Sequence, residues 1–489
     1  MILAAYLALA ITRSGIVIRG GTVYDGTGRP PFAADVRIEG DKIVGVGTIR
    51  PQKGDRIIDA TGLAVAPGFI DAHSHADGGI LEDPNAETQI RQGITTAVVG
   101  EDGGSALPVS KFFTQLEQHP ASINFASFTG QGTIRQAVLG NDQRKPTAAE
   151  LKRMKELVDQ DMRAGALGLS TGLEYEPNRY ADTAEIVELT KVAARHHGIY
   201  ISHVRNEDNQ AFEAFRELIE VARQAHIPAE INHIKLCSTR VWGREPEVGR
   251  MMEAARKEGL DITADVYPYT YWQSTIRVII PTEEFGNRAL WEQGLKDVGG
   301  PSHVLLTGYS PDPTWAGKTI AELADKTGKD PITLIQEIIE RCYGKGNKGE
   351  ESVVVTAMSE EDITNFIRDP HIMFCSDGGL HGTHPRGAGS FPRILGVYAR
   401  ERKVISMTEA IRKMTSLPAK RFGFRDRGVI ASGKTADITL FDPKTVVDTA
   451  TTKEPEAKPI GIPTVIVRGV VVLENGDPTG AHPGRAWRK

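Results

Sequence analysis

Two kinds of hydrophobic pattern divide this chain. Near its start, short apolar runs such as 16–18 and 36–38 are punctuated by turn residues at Gly40-Asp41, and similar runs return at 436–441 and 465–473. Spacing of that kind predicts short strands at both ends, and hence one small β domain assembled from residues 1–64 and 416–489. Between them, apolar runs of strand length alternate with amphipathic stretches, which predicts βα units around a parallel sheet. Thr147-Ala-Ala-Glu150 reads as a capping box that opens a helix to about residue 163, with a strand at 166–170. A helix over 184–197, closed by Gly198, leads into a strand at 199–203; a helix over 211–226 leads into a strand at 229–233; another strand spans 261–267. The middle, 65–415, is long enough for a (β/α)8 TIM-like barrel with an insertion or lid at about 281–352, so the expected fold is α/β with a small β-sandwich domain made from both chain ends.

Composition narrows the function classes. With 40% hydrophobic and 25% charged residues the chain is that of a folded globular protein, and a net charge of −5 over 489 residues gives no basic field for nucleic acid. Three widely spaced cysteines, Cys237, Cys342 and Cys375, make neither a disulfide framework nor a thiolate metal knuckle. The apolar opening at 2–11 is too short to span a bilayer and lacks a basic leader. A cytoplasmic protein without a membrane span is the expectation, with the periplasm or secretion as the alternative if residues 1–12 are a trimmed signal remnant.

The chemistry concentrates at inferred strand ends, where a parallel α/β barrel places its active site. In Pro67-Gly-Phe-Ile-Asp-Ala-His73-Ser-His75, residues i and i+2 of a strand face one side, so His73 and His75 can chelate one ion. His203 and His233 each end a later strand, and four imidazoles meeting at one mouth suit zinc. Asp377, in Phe374-Cys-Ser-Asp-Gly378, can both coordinate a metal and take a proton from water that the ion acidifies.

This order of ligands resembles the amidohydrolase superfamily, and the detail resembles its D-aminoacylase branch, the N-acyl-D-amino-acid deacylases. The resemblance runs from about residue 15 to 480. It is carried by Gly93-Ile-Thr-Thr-Ala-Val-Val-Gly100, Gly130-Gln-Gly-Thr-Ile-Arg135, Leu173-Glu-Tyr-Glu-Pro177, Asp265-Val-Tyr-Pro-Tyr269, His384-Pro-Arg386 and Ser390-Phe-Pro-Arg-Ile-Leu-Gly396. It implies one or two zinc ions per chain and a small N-acyl amino acid as substrate, of D configuration. The family's bridging cysteine segment departs here to Gly100-Glu-Asp-Gly-Gly-Ser105, which puts Asp102 in the cysteine's place and Glu101 as the other candidate. A carboxylate is a harder ligand than a thiolate. The resemblance also implies that Lys235, Tyr267 and Arg386 anchor the substrate's carboxylate, with a hydroxyl contact near Gln273 or Ser274.

Two rival functions and one decoy complete the reading. A cyclic-amide hydrolase of the dihydroorotase or hydantoinase kind would use a carbamylated lysine as bridge, and no lysine lies between Lys53 and Lys111. A barrel without catalysis, serving as a binding protein, would not need the full ligand set. Gly428-Val-Ile-Ala-Ser-Gly-Lys-Thr435 matches a phosphate-loop pattern, but a strand-like run rather than a helix follows it.

Overall fold

The computed structural model describes residues 14–280, 282 and 284–489, so the opening stretch at 1–12, and with it the signal-remnant reading, lies outside the described residues. Among the described residues the middle of the chain contributes eight parallel strands. They are β1 (Phe69–Asp71), β2 (Ile94–Val99), β3 (Asn124–Ser127, continuing at Thr129–Gly130), β4 (Gly168–Gly172), β5 (Ile199–His203), β6 (Ala229–Ile231), β7 (Ile262–Val266) and β8 (Ile372–Phe374). Their spatial order is their sequence order, each pairing with the next. The last and first are tied by the Asp377 amide, which donates to the His73 carbonyl at 2.9 Å. All six residues of β2 and all five of β5 are buried, so these strands read as continuous apolar or small-residue runs rather than as alternation.

Helices follow the strands where the patterns place them. Ala148–Ala164 opens with both halves of the Thr147/Glu150 capping box, Thr183–Arg195 is capped by Asp182, and Ala211–Ala225 buries Phe212, Phe215, Leu218, Ile219 and Ala222 on one stripe. Among the strand boundaries that differ from expectation, two have a clear local reason. β4 starts at Gly168 rather than 166 because the Ala166 amide is spent on the Asp161 carbonyl, closing the preceding helix around Gly165 at φ 104°. β6 stops at Ile231, and His233 sits beyond it in a left-handed turn at φ 33°.

Between β7 and β8 an antiparallel sheet is inserted, in the order Tyr271–Ser274, Glu351–Thr356, Val304–Tyr309, Lys318–Thr319, with helices Arg288–Asp297, Ile320–Thr327 and Pro331–Tyr343. The chain ends build two further sheets. One is ordered Lys42–Gly47, Asp35–Glu39, Ile16–Arg19, Arg56–Asp59, and the other runs from Asp477–Pro478 through Val470–Glu474, Thr464–Val467, Ile438–Phe441 and Ala64–Pro67 to Thr22–Val23 and Phe32–Ala33. Ile18, Val36, Ile38 and Ile43 of the first share one buried cluster with Val65, Ile438, Leu440 and Ile466 of the second. Residues 428–435 run straight into the strand Ile438–Phe441, with no helix to cradle a phosphate. The final residues return to the opposite end of the parallel strands, where the Trp487 amide donates to Phe125 at 2.7 Å and the Phe125 amide to Arg485 at 3.0 Å.

Candidate active site

All six ligand candidates gather at the C-terminal ends of the strands. His73 and His75 lie just past β1, His203 ends β5, His233 follows β6 and Asp377 follows β8. Asp102 and Glu101 both lie past the end of β2, and what separates them is a turn rather than strand alternation. Gly100 adopts φ 77°, and a Cβ there would stand 2.4 Å from the Phe128 carbonyl oxygen. Asp102 then adopts φ 51°, which aims its carboxylate at the histidines. Glu101 points beneath them, accepting a hydrogen bond from the Asn232 amide at 3.2 Å. Asp102, His233 and Asp377 (φ 49°) all hold left-handed backbone, a strained state that non-glycine residues keep mainly where function demands it.

The donor distances suit zinc. Donors about 2.0–2.2 Å from a shared zinc ion stand roughly 3.3 Å apart at the tetrahedral angle. His75 Nε2 is 3.3 Å from Asp377 Oδ1, 3.4 Å from Asp102 Oδ2 and 3.4 Å from His73 Nε2. His73 Nε2 is 3.6 Å from both Asp377 Oδ1 and Asp102 Oδ1. On the other side of Asp102, Oδ1 is 3.4 Å from His233 Nε2 and 4.0 Å from His203 Nδ1, and those two nitrogens are 3.0 Å apart. Asp102 thus faces both halves of the cluster, with Oδ1 toward His73 and His233 and Oδ2 toward His75, and would be shared if two cations bound. Asp102 Oδ1 is buried with no hydrogen-bond partner, which a cation would satisfy.

A second group, His203, Glu207 and His233, also has ligand-like spacing. Between Glu207 and His233 of this group lies the Lys235 ammonium, 2.8 and 2.9 Å from the two Glu207 oxygens and 2.5 Å from His233 Nδ1, and a fixed positive charge there repels a metal.

The field of the site favours positive charge between the histidines. Burial alone would raise the Asp102 and Asp377 carboxyls, but His73 and His233 around the first, and Arg386 and His233 around the second, hold both well below the usual carboxylate range. Burial would lower His75, yet Asp102 and Asp377 push it up to about 10.

The three residues expected at the substrate's carboxylate are also brought here. Arg386 pairs with Asp377 Oδ2 through Nη1 and stacks on the Tyr267 ring at 5.0 Å. Its amide donates to His384 Nδ1 at 2.9 Å, so the other ring nitrogen carries the proton toward the Tyr271 carbonyl. Lys235 lies over the same ring at 5.6 Å, but Glu207 engages its ammonium. The Tyr267 hydroxyl is buried without a partner.

A cavity opens beside the cluster, lined by His75, Asp102, Asp377 and Arg386 and by Trp272, Ser274, Val278 and Ile279 of the insertion. Ser274 faces it, whereas the Gln273 amide donates to Thr383 at 2.7 Å. A second cavity reaches His75, Asp377 and Arg386 from the side of the glycine-rich loop 378–382. Sequence reasoning missed Glu174, Tyr175 and Glu207, which line the first cavity. Their signal was their position, in each case a few residues past a strand end. Burial and the nearby carboxylates keep the Tyr175 hydroxyl protonated by raising it well above its ordinary value.

The sequence matches the profile of the amidohydrolase family over residues 56–473. It is 33% identical to an N-acyl-D-glutamate deacylase of Alcaligenes xylosoxydans xylosoxydans, over 97% of this chain and 96% of that one. The crystal structure of N-acyl-D-glutamate deacylase from Bordetella bronchiseptica superimposes with a TM-score of 0.87 at 31% identity, covering 98% of this chain and all of that one. It contains zinc and a phosphonate inhibitor that mimics the tetrahedral intermediate of the reaction. A crystal structure of D-aminoacylase superimposes with a TM-score of 0.84 at 31% identity, over 97% of this chain and 99% of that one.

Proposed function

The chain belongs to the amidohydrolase family, and from that premise we propose that it is a zinc-dependent hydrolase cleaving the amide bond of N-acyl-D-amino acids to give a carboxylate and a free amino acid. The observation that carries this reading is the convergence of three imidazoles, His73, His75 and His233, and two carboxylates, Asp102 and Asp377, at 3.3–3.6 Å, with a guanidinium on the outer oxygen of Asp377.

His73, His75 and Asp377 would hold one ion, His203 and His233 the other, and Asp102 both. Bound zinc lowers the pKa of water toward about 7 and polarises a carbonyl oxygen. Asp377, kept ionised by Arg386, accepts a proton from the attacking water and returns it to the leaving nitrogen. Tyr175, protonated on the cavity wall, offers a hydroxyl donor to the substrate. Arg386 uses Nη1 on Asp377, and its planar fork has further donors for the α-carboxylate. Lys235 adds positive charge nearby while it remains bound to Glu207. Trp272, Val278 and Ile279 give an apolar wall to the cavity, suited to the hydrocarbon part of the substrate.

Arg386→Met tests the substrate half of this reading. Losing charge-assisted hydrogen bonds of ~1.5–3 kcal/mol lowers kcat/KM for free-acid substrates roughly ten- to a hundredfold. A substrate with its carboxylate masked as a primary amide loses much less. The same guanidinium depresses Asp377, so its removal lets that carboxyl rise, and the acid limb of the pH–rate profile moves to higher pH. Equal losses for acid and amide would mean that Arg386 serves Asp377 alone, and the amino-acid assignment would fall.

A further inference from the structure

Two histidines of the cluster present opposite ring nitrogens to it. His203 turns Nδ1 inward and His233 turns Nε2 inward, 3.0 Å apart and both facing Asp102 Oδ1. A neutral imidazole has one N–H and one lone pair, and only the lone pair binds a metal. For both rings to ligate, the proton must sit on Nε2 of His203 and on Nδ1 of His233. Nothing in an isolated imidazole enforces that opposition.

The outward nitrogens meet buried carboxylates. His203 Nε2 is 2.9 Å from Glu174 Oε2, and His233 Nδ1 is 3.1 Å from Glu207 Oε1. The Glu174 and Glu207 side chains are 14% and 10% exposed, so water competes little for these contacts. The arrangement repeats along the chain: Glu174 lies two residues past β4 and serves the histidine of β5, and Glu207 lies four residues past β5 and serves the histidine that follows β6. The same relation on successive βα units argues against accident.

At His233 the outward nitrogen is contested. Lys235 Nζ, which can only donate, is 2.5 Å from His233 Nδ1. Alone it would claim the lone pair there and drive the ring proton onto Nε2, blocking the nitrogen that faces the cluster. Glu207 binds the ammonium at 2.8 and 2.9 Å and lies 3.1 Å from Nδ1, so it offers an acceptor for the ammonium and for a proton on that nitrogen.

We propose that Glu174 and Glu207 are positioning residues that fix His203 as its Nε2–H tautomer and His233 as its Nδ1–H tautomer, so that both rings can hold one ion. The proposal rests on the metal reading above. Outer carboxylates of this kind typically account for 10–100-fold in metal affinity.

The test begins with 15N NMR of the zinc-loaded protein labelled at histidine, which reads each ring without any substitution. The expected result is Nε2–H at His203 and Nδ1–H at His233, and the reverse at either ring overturns the proposal. Zinc competition against a chelator then compares the wild type with Glu174→Met and Glu174→Gln. Glu174→Met is expected to weaken one of the two zinc sites by roughly 10–100-fold, leaving the other site unchanged. Glu174→Gln, whose amide oxygen still accepts, is expected to recover part of the loss. Unfolding temperatures in chelator are expected to match, because the effect acts through the ion. Zinc affinity in Glu174→Met equal to wild type would overturn the proposal. A wild type that takes up no zinc would instead overturn the metal reading itself.

Discussion

Asp377→Asn is expected to abolish turnover of free-acid and amide-masked substrates alike, by a factor of ~10²–10⁴ in kcat, because it removes the proton acceptor that both reactions need. Asparagine keeps the volume and the 3.3–3.6 Å approach to His75 and His73, so the fold and the opposite half of the cluster are preserved. What it loses is the charge that Arg386 and His233 keep on the carboxylate. This separates it from Arg386→Met, whose loss depends on the substrate's carboxylate. Steady-state kinetics on the two substrate types, with zinc measured on the same samples, read the difference. An Asp377→Asn protein that binds zinc and retains near wild-type kcat would remove Asp377 from the chemistry.

Asp102→Ala is expected to lose zinc and activity together. Its carboxylate faces both halves of the cluster, with Oδ1 3.4 Å from His233 and Oδ2 3.4 Å from His75. Removing it leaves the imidazoles of either half without their shared anion. Glu101→Gln supplies the contrast. Burial, then Asp265, Asp102 and Glu230, raise the Glu101 carboxyl well above its ordinary value, and glutamine keeps its size and an oxygen that can accept from Asn232. Zinc per chain after dialysis should fall in Asp102→Ala and stay at the wild-type level in Glu101→Gln. The opposite ranking would make Glu101 the bridge.

The sequence carried the alternation of βα units because strand and helix periods differ and because Gly, Thr and Asp punctuate the ends, as at Thr147 and Gly198. The histidines stood out for a related reason: each stands at or just past the end of an apolar run, and it is their recurrence on several strands that points to a shared site. Side-chain partners were not legible. Nothing in a one-dimensional pattern pairs Lys235 with Glu207, or Arg386 with Asp377, since those contacts arise where loops from different units converge. The aim of Asp102 comes from a left-handed turn after Gly100, and a residue's φ is not written in its hydrophobicity. The inserted sheet was likewise hidden. Tyr271–Ser274 follows β7 closely and looks like its continuation, yet it pairs antiparallel with Glu351–Thr356, some eighty residues away.

The central claim is most directly tested by measuring free-amine release from matched pairs of N-acetyl-D- and N-acetyl-L-amino acids by the zinc-loaded protein. Hydrolysis of the D members is expected, lost on chelation and restored by zinc. Release from the L members in preference, from no pair at all, or at an undiminished rate after the metal has been stripped would contradict it.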